Sequence, residues 1–522
     1  MDFIVVLIPL VPLLAAAYIG SSFLFDQKIS GDRDDIAAFV AKTAVSISCV
    51  LAIILLIADL TNINSGSYTV GQWLGSNTLT IDILFITSGF SVIVAALFSV
   101  ILVVVTRFST LYLFKEPGFV RYLFIFCLFS TGMMLIALSG NAVLTFIGWE
   151  IAGLCSYFLI SFAYNRPVAV INATRVFVTN RVGDAGFILG IALTFYYLGT
   201  TSWLDINAMA GLLTTPTATV IALCFALAAF AKSAQLPFSP WLARAMEGPT
   251  PSSAVFYGAV MIHSGVFLVI LLRPIFEAAP FVMALLVAVG LLTAIYSFIV
   301  GLTQTDVKSS ICFAITGQIG LMFVSCGLGF WELASWHLCA HVIVRGYQVL
   351  TSPSLVFQVN GNPMHQVSKN LGNRRWLYNI SLQRFWLDPI TDRTLVRPIN
   401  GLGRDLDYFD NNVINRAMGS PSSAATAISS LTQLEQKKFT SELNDDLNKL
   451  GRGKGIAGKL IEWAAGAMSW FEERLVLRGV GVEMVDIGRQ LGHAANTFEK
   501  LLLKPRYLVL FVFVVLMFAS SI

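Results

Sequence analysis

Glu150, Lys232, His337, His341 and Arg345 are ionisable side chains set inside runs of apolar residues. In lipid each such group costs several kcal/mol unless it faces a partner or water, so an ionisable residue there marks an ion or proton path. Glu150, in Gly148-Trp149-Glu150, has no base beside it in sequence, so its partner comes from another helix. Lys232 lies in Ala231-Lys232-Ser233-Ala234-Gln235-Leu236-Pro237, where Pro237 removes a backbone donor and breaks the helix. A break at membrane depth survives only where protein or a water-filled cavity satisfies the freed backbone groups. A carboxylate and an ammonium meeting there would hold each other charged, so neutralising Glu150 changes whether Lys232 keeps its proton. That is the minimum equipment for a proton switch; the alternative is a static buried ion pair that joins helices.

His337, His341 and Arg345 recur at i, i+4 and i+8, which stacks them on one face of a helix. Neutral imidazoles one turn apart both donate and accept, so they can pass a proton through intervening water. His263 in the eighth apolar run and Lys308 at the start of the tenth extend the series along the midplane. Arg181 and Asp184, three apart at the entrance of another run, read as a structural pair or a gate, a role in which Asp306 is also placed.

The elements that must position these groups are helices. The chain has 522 residues, of which 56% are hydrophobic and 12% charged, with a mean hydropathy of +0.75, and a soluble globule has nowhere to bury that much apolar side chain. Apolar stretches of about 20 residues, enough to cross the hydrocarbon layer, fall near 3–24, 36–58, 82–106, 120–139, 141–163, 175–198, 217–246, 252–273, 279–302, 308–328 and 331–350. They are too long for barrel strands and lack alternation, so the fold class is an all-α polytopic membrane protein with about eleven helices, the seventh of them broken. The run from Phe3 to Leu24 lacks a basic leader and a cleavage site and reads as the first span. Lys and Arg mark alternate loops, near Lys28 and Arg33, near Arg107 and Lys115, and around Arg166 and Arg175, whereas the loops at 59–80 and 197–217 carry none. The N-terminus is therefore expected outside and the tail in the cytoplasm of a bacterial inner membrane.

After residue 350 the composition turns polar. The expected divisions are a bundle over 1–350, a polar segment and linker over 351–454, an amphipathic lateral helix over 455–504 and a final span over 505–522. The lateral helix rests on Ile456, Leu460, Trp463, Met468, Phe471, Leu475, Val480, Met484, Ile487 and Leu491, spaced by three and four. The seven cysteines sit singly in apolar runs and read as packing residues, with no metal-ligand spacing. A net charge of +4 without interleaved aromatic and basic residues gives no sign of nucleic acid. There is no phosphate-binding Gly-rich loop, HExxH or nucleophile elbow, so the chain moves ions and leaves chemistry, and any cofactor, to others.

Taken in order, several segments resemble the antiporter-like subunits of respiratory complex I, closest to the NuoL branch. They are Trp149-Glu150 with Gly153-Leu154-Cys155-Ser156-Tyr157, Asn180-Arg181-Val182-Gly183-Asp184, the Lys232 segment, and Gly248-Pro249-Thr250-Pro251. Thr305-Asp306-Val307-Lys308, Gly317-Gln318-Ile319-Gly320 and His337-Leu338-Cys339-Ala340-His341 continue the match, which covers roughly 60 to 355. The resemblance implies a pseudo-symmetric bundle in which Glu150 pairs with Lys232 and protons cross a hydrated axis through the histidines. It also departs from the family at three places. Tyr257 stands where the family usually has a His, with His263 further on; Arg345 stands where it usually has Lys, and as a group that never releases its proton would be an electrostatic fixture. The family's twelfth, broken helix is absent after residue 350, although Phe385-Trp386-Leu387-Asp388-Pro389 and Val396-Arg397-Pro398 resemble the segment before the NuoL lateral helix.

Shortened NuoL-like chains of this length resemble DabB, the membrane half of inorganic carbon uptake systems whose DabA partner carries zinc. Two assemblies therefore stand as expectations. One is a DabA-type cytoplasmic partner driven by ion flow; the other is a complex I or hydrogenase-type membrane arm whose flavin and iron–sulfur clusters lie in other subunits. Both H⁺ and Na⁺ use carboxylate and lysine sites of this kind.

Overall fold

In the computed structural model, residues 2–25, 32–75, 80–304, 306–352, 373–410 and 412 are described. Eleven long helices follow one another: α1 (Ile4–Phe25), α2 (Asp32–Leu60), α3 (Phe90–Tyr112), α4 (Phe119–Leu138), α5 (Ala142–Ile160), α6 (Pro167–Leu198), α7 (Thr215–Lys232), α8 (Thr250–Leu271), α9 (Pro280–Gly301), α10 (Val307–Gly327) and α11 (Trp331–Thr351). Among the described residues, α1 to α10 are long and apolar enough to cross a membrane. α11 is a helix of 21 residues, but Glu332, His337, His341 and Arg345 dilute its apolar content. Among the described residues the one sheet is a hairpin of β1 (Ser67–Gly75) and β2 (Thr80–Ile86), paired antiparallel from Ser67↔Ile86 to Gly75↔Thr80 with irregularities at Val70 and Trp73. It occupies the polar connection after α2 and the start of the third expected span, which begins at Phe90 rather than 82. Asn141 anchors it: its side-chain amide donates to the Asp82 carbonyl while its Oδ1 accepts from Leu144 N–H at 2.7 Å and caps α5.

Glycines set how closely the helices lie. A Cβ on Gly290 of α9 would stand 2.4 Å from the Gly320 carbonyl of α10, and one on Gly320 would stand 2.5 Å from the Gly290 carbonyl. Gly132 and Gly148 bring α4 onto α5 in the same way, and Gly183 and Gly186 of α6 bring it onto Ala231 and Cys224 of α7. Lipid offers no hydrophobic reason for helices to associate, so this close approach carries much of the packing. Its consequence is that Trp149-Glu150, Arg181 and Lys232 arrive on three tightly apposed helices.

α7 does not reach Pro237; it ends at Lys232. Ala234 takes a left-handed conformation (φ 52°), Gln235 N–H bonds the Phe230 carbonyl at 2.9 Å and Ala234 N–H bonds that of Ala231 at 3.3 Å, a Schellman-type cap. Side chains complete the break: the Trp241 indole adds a second donor to the Ala231 carbonyl at 2.8 Å, and Thr293 of α9 accepts from Leu236 N–H at 3.0 Å. Pro240–Arg244 then forms a short helix. α8 is also irregular, although its apolar run at 252–273 carries no internal proline. A π-type turn over Ala254–Ala259 and a 3-10 turn over Met261–His263 interrupt it. Gly265 allows the contact, since a Cβ there would lie 2.3 Å from Ser233 Oγ and 2.4 Å from the Ala229 carbonyl.

The bundle boundary expected at 350 is revised. The compact unit runs to Val396, because short helices at Arg375–Leu382 and Leu387–Thr391 form a strap bound to the helix ends. Arg244 and Arg384 both pair with Asp388 (3.0 and 3.6 Å), Arg175 of α6 pairs with Asp392 (2.6 Å), and Ser381 bonds Thr303 (2.8 Å). Arg397–Phe409 is a helix of a second unit. The linker, the lateral helix at 455–504 and the last span at 505–522 lie outside the described residues.

Gly290→Ala is expected to wedge α9 from α10 and lower stability by about 1–3 kcal/mol, read as a lower thermal unfolding midpoint in detergent. Gly211→Ala, where an added Cβ meets nothing within 4 Å, leaves the midpoint unchanged.

Candidate functional site

Two groups of polar side chains meet inside the bundle. In the first, Arg181 binds the Glu150 carboxylate through Nη1 and Asp184 through Nη2, the latter at 2.8 Å. The Trp149 indole donates to the other Asp184 oxygen at 2.7 Å. Lys232 is 1% exposed, and its ammonium donates to the Trp149 carbonyl at 3.1 Å and lies 4.9 Å from the centre of the Trp149 ring. Gly153, one turn beyond Trp149, leaves room for both cationic heads; a Cβ there would be 3.2 Å from Arg181 Nη2 and 3.4 Å from Lys232 Nζ.

The expected direct Glu150–Lys232 pair is therefore corrected. Arg181 takes the Glu150 carboxylate, and among the described residues Lys232 has no carboxylate oxygen within 4.0 Å. The reason is the length of α6. It begins at Pro167 instead of 175, which moves Arg181 and Asp184 from a helix entrance to the helix middle, opposite Glu150. The network is nonetheless continuous, since Lys232 rests on the residue next to Glu150. The second Glu150 oxygen, Oε1, is buried without a hydrogen-bond partner and is thus available to accept a proton.

The second group is the histidines. His263 Nε2 and His341 Nδ1 are 2.8 Å apart, His337 and His341 have ring centres 6.0 Å apart, and His337 Nε2 meets Gln318 Oε1 at 3.0 Å. Arg345 donates from Nε to His341 Nε2 at 3.4 Å and from Nη1 to Gln348 at 2.6 Å. Ser233 links the two groups: it follows Lys232, and its hydroxyl donates to the carbonyl of Ile262, the residue before His263, at 2.7 Å.

Three expected members stand apart. Lys308, placed at the midplane from sequence, is the second residue of α10 and donates to Thr250 Oγ1 at 2.7 Å, at a helix end. Asp306 makes no ion pair among the described residues; it caps α10 by accepting from Ser309 N–H at 2.9 Å. Tyr257 is buried in the π-type turn, with Ser253, Cys312 and Asp306 as polar neighbours, and its hydroxyl makes no hydrogen bond to a histidine. Residues not singled out from sequence include Ser233, Gln318 and the strap partners Arg175, Arg244, Asp388 and Asp392. Gln318 does lie mid-span in a run with few other polar residues, which was a readable signal.

The arrangement holds proton donors and acceptors in series and offers no metal centre: no group of three or more His, Cys, Asp or Glu at ligating distance occurs among the described residues.

Comparison with known proteins agrees with this architecture. Residues 139–371 match the family described as NADH:quinone oxidoreductase/Mrp antiporter, TM. NAD(P)H-quinone oxidoreductase subunit 5 of the Mesostigma viride chloroplast is 31% identical over 357 residues, covering 67% of this chain and 54% of that protein. NAD(P)H-quinone oxidoreductase chain 5 of Synechocystis sp. is 31% identical over 366 residues, covering 68% and 53%. The chain thus spans about half the length of these relatives. Among solved structures, the Mrp complex from Dietzia sp. shares the fold with a TM-score of 0.59 at 19% identity, over 98% of this chain and 62% of that one. An archaeal membrane-bound sulfane sulfur reductase does so with a TM-score of 0.55 at 20% identity, over 66% and 55%. The chain is a NuoL-like, antiporter-type multi-pass membrane protein, with the transmembrane domain of the NADH:quinone oxidoreductase/Mrp antiporter family over residues 139–371.

Proposed function

We propose that this chain conducts protons across the membrane as one subunit of a larger complex, between the Glu150–Arg181–Asp184–Lys232 cluster and the His263–His341–His337 series. The observation that carries this reading is the junction at the α7 break, where Lys232 and Ser233 stand side by side and Ser233 holds the carbonyl next to His263. A proton gained by Glu150 Oε1 weakens its hold on Arg181, which then turns more fully to Asp184; the field at Lys232 changes, and its proton becomes easier or harder to release. Static ion pairs would not need a buried free carboxylate oxygen near a lysine bonded only to a carbonyl, because the carboxylate and ammonium would bond each other.

In this reading, which follows the positive-inside rule, the strap, the Lys308 end of α10 and the turn after α5 face the cytoplasm. The relatives' names favour an assembly of the quinone oxidoreductase or Mrp kind as the partner. The relatives reported above give no support to the DabA-type inorganic carbon protein expected from the shortened tail. Purification of the complex separates the two: iron–sulfur and quinone-reducing subunits accompany the chain in the first case, a zinc protein in the second.

In proteoliposomes holding the purified complex, Lys232→Met and Glu150→Gln are each expected to reduce proton flux at least about tenfold. Flux retained in both variants rejects the path, and flux that follows a sodium gradient in place of a proton gradient reassigns the ion. Arg181→Gln leaves Glu150 without its cation. It should lower stability by about 2 kcal/mol, the pair being partly exposed, and the double variant Glu150→Gln/Arg181→Gln should recover most of the loss in thermal unfolding.

A further inference from the structure

The histidine pair has a determinable proton order. Arg345 is a permanent donor, so the His341 Nε2 it meets at 3.4 Å must present its lone pair. The hydrogen of His341 is then on Nδ1, since a ring with neither nitrogen protonated would be an imidazolate. Nδ1–H donates across 2.8 Å to His263 Nε2, which must also be a lone pair, because two N–H groups cannot face each other at that distance. The hydrogen of His263 is therefore on Nδ1, which is buried beside the Ala259 backbone. Neither outer nitrogen of the pair can accept a proton in this state: one is covered by a cationic N–H and the other already carries its hydrogen.

We propose that Arg345 is a positioning residue that fixes the tautomers of His341 and His263 and keeps the two-ring relay closed until its guanidinium moves. Gln348, 2.6 Å from Nη1, holds the guanidinium by its far side and gives it a place to pivot. When Arg345 swings off, a proton can bond His341 Nε2, the Nδ1–H passes to His263 Nε2, and the Nδ1–H of His263 leaves: one proton enters and one departs. The gating half of this inference rests on the proton path proposed above; the tautomer half does not.

The test is solid-state NMR of the full chain in liposomes, with ¹⁵N-labelled histidine and the five histidines assigned by single His→Gln variants. His341 and His263 are expected to carry hydrogen on Nδ1 alone. Arg345→Met, which removes the donor at similar length, should shift His341 to the Nε2–H form, whereas Arg345→Lys, which keeps a cationic donor, should not. A wild-type His341 protonated at Nε2, or a Met variant with the wild-type spectrum, overturns the proposal. In the same liposomes the passive proton leak should rise about fivefold, roughly one hydrogen bond's worth, with Met and stay at the wild-type level with Lys. An unchanged leak in Arg345→Met overturns the gating half. The expected tautomers with no flux in any variant support the positioning role and overturn the transport reading.

Discussion

Ending a helix inside a membrane strands backbone carbonyls and amides where no water can reach them, and the architecture around α7 is the answer to that constraint. A Schellman cap closes onto the Phe230 and Ala231 carbonyls, Trp241 adds a second donor to the latter, and Thr293 takes the Leu236 amide. With the backbone satisfied, Lys232 can stand at the helix end, its ammonium turned to the Trp149 carbonyl instead of to a fixed carboxylate. A lysine so held is bonded but not neutralised, which is the condition for its proton to respond to charges nearby. The same break presents Ser233 to α8, and Gly265 makes the space for it.

Charge inside the bundle is shared rather than paired off. One guanidinium lies between Glu150 and Asp184, so two carboxylates compete for a cation that is never deprotonated. Whatever changes one carboxylate changes the hold on the other, and Trp149 ties Asp184 to the strand of residues on which Lys232 rests. The strap acts on the same elements from the helix ends: Arg175 precedes Arg181 on α6, and Arg244 follows the α7 break. Displacement of the strap would thus bear on both sides of the cluster at once.

Much of this was readable from residue types and order. Glu150, Lys232, His337 and His341 announced themselves as costly groups in apolar runs, and hydropathy placed ten of the spans. The partnership of Glu150 was not readable, because it depends on α6 starting at Pro167 and so carrying Arg181 to mid-depth. Nor was the contact of His263 with His341, which needs the π-type turn in α8; a regular 3.6-residue repeat from Tyr257 would rotate His263 differently. The strap looked like polar tail because the bonds that tie it to the bundle run from Asp388, Asp392 and Ser381 to Arg244, Arg175 and Thr303, more than 75 positions away, and no local pattern records such contacts. The hairpin was hidden in a short segment whose alternation, Thr80 to Phe85, merges into the apolar run that follows.

The central claim is that Glu150, whose Oε1 is buried without a partner, gains and loses a proton while the complex carries protons. Infrared difference spectroscopy of the complex in liposomes, recorded as a proton gradient is imposed and collapsed, addresses it directly. The account predicts a protonated-carboxyl band that appears and disappears with the gradient and is missing in Glu150→Gln. A complex that transports protons while its Glu150 shows no such band would contradict it.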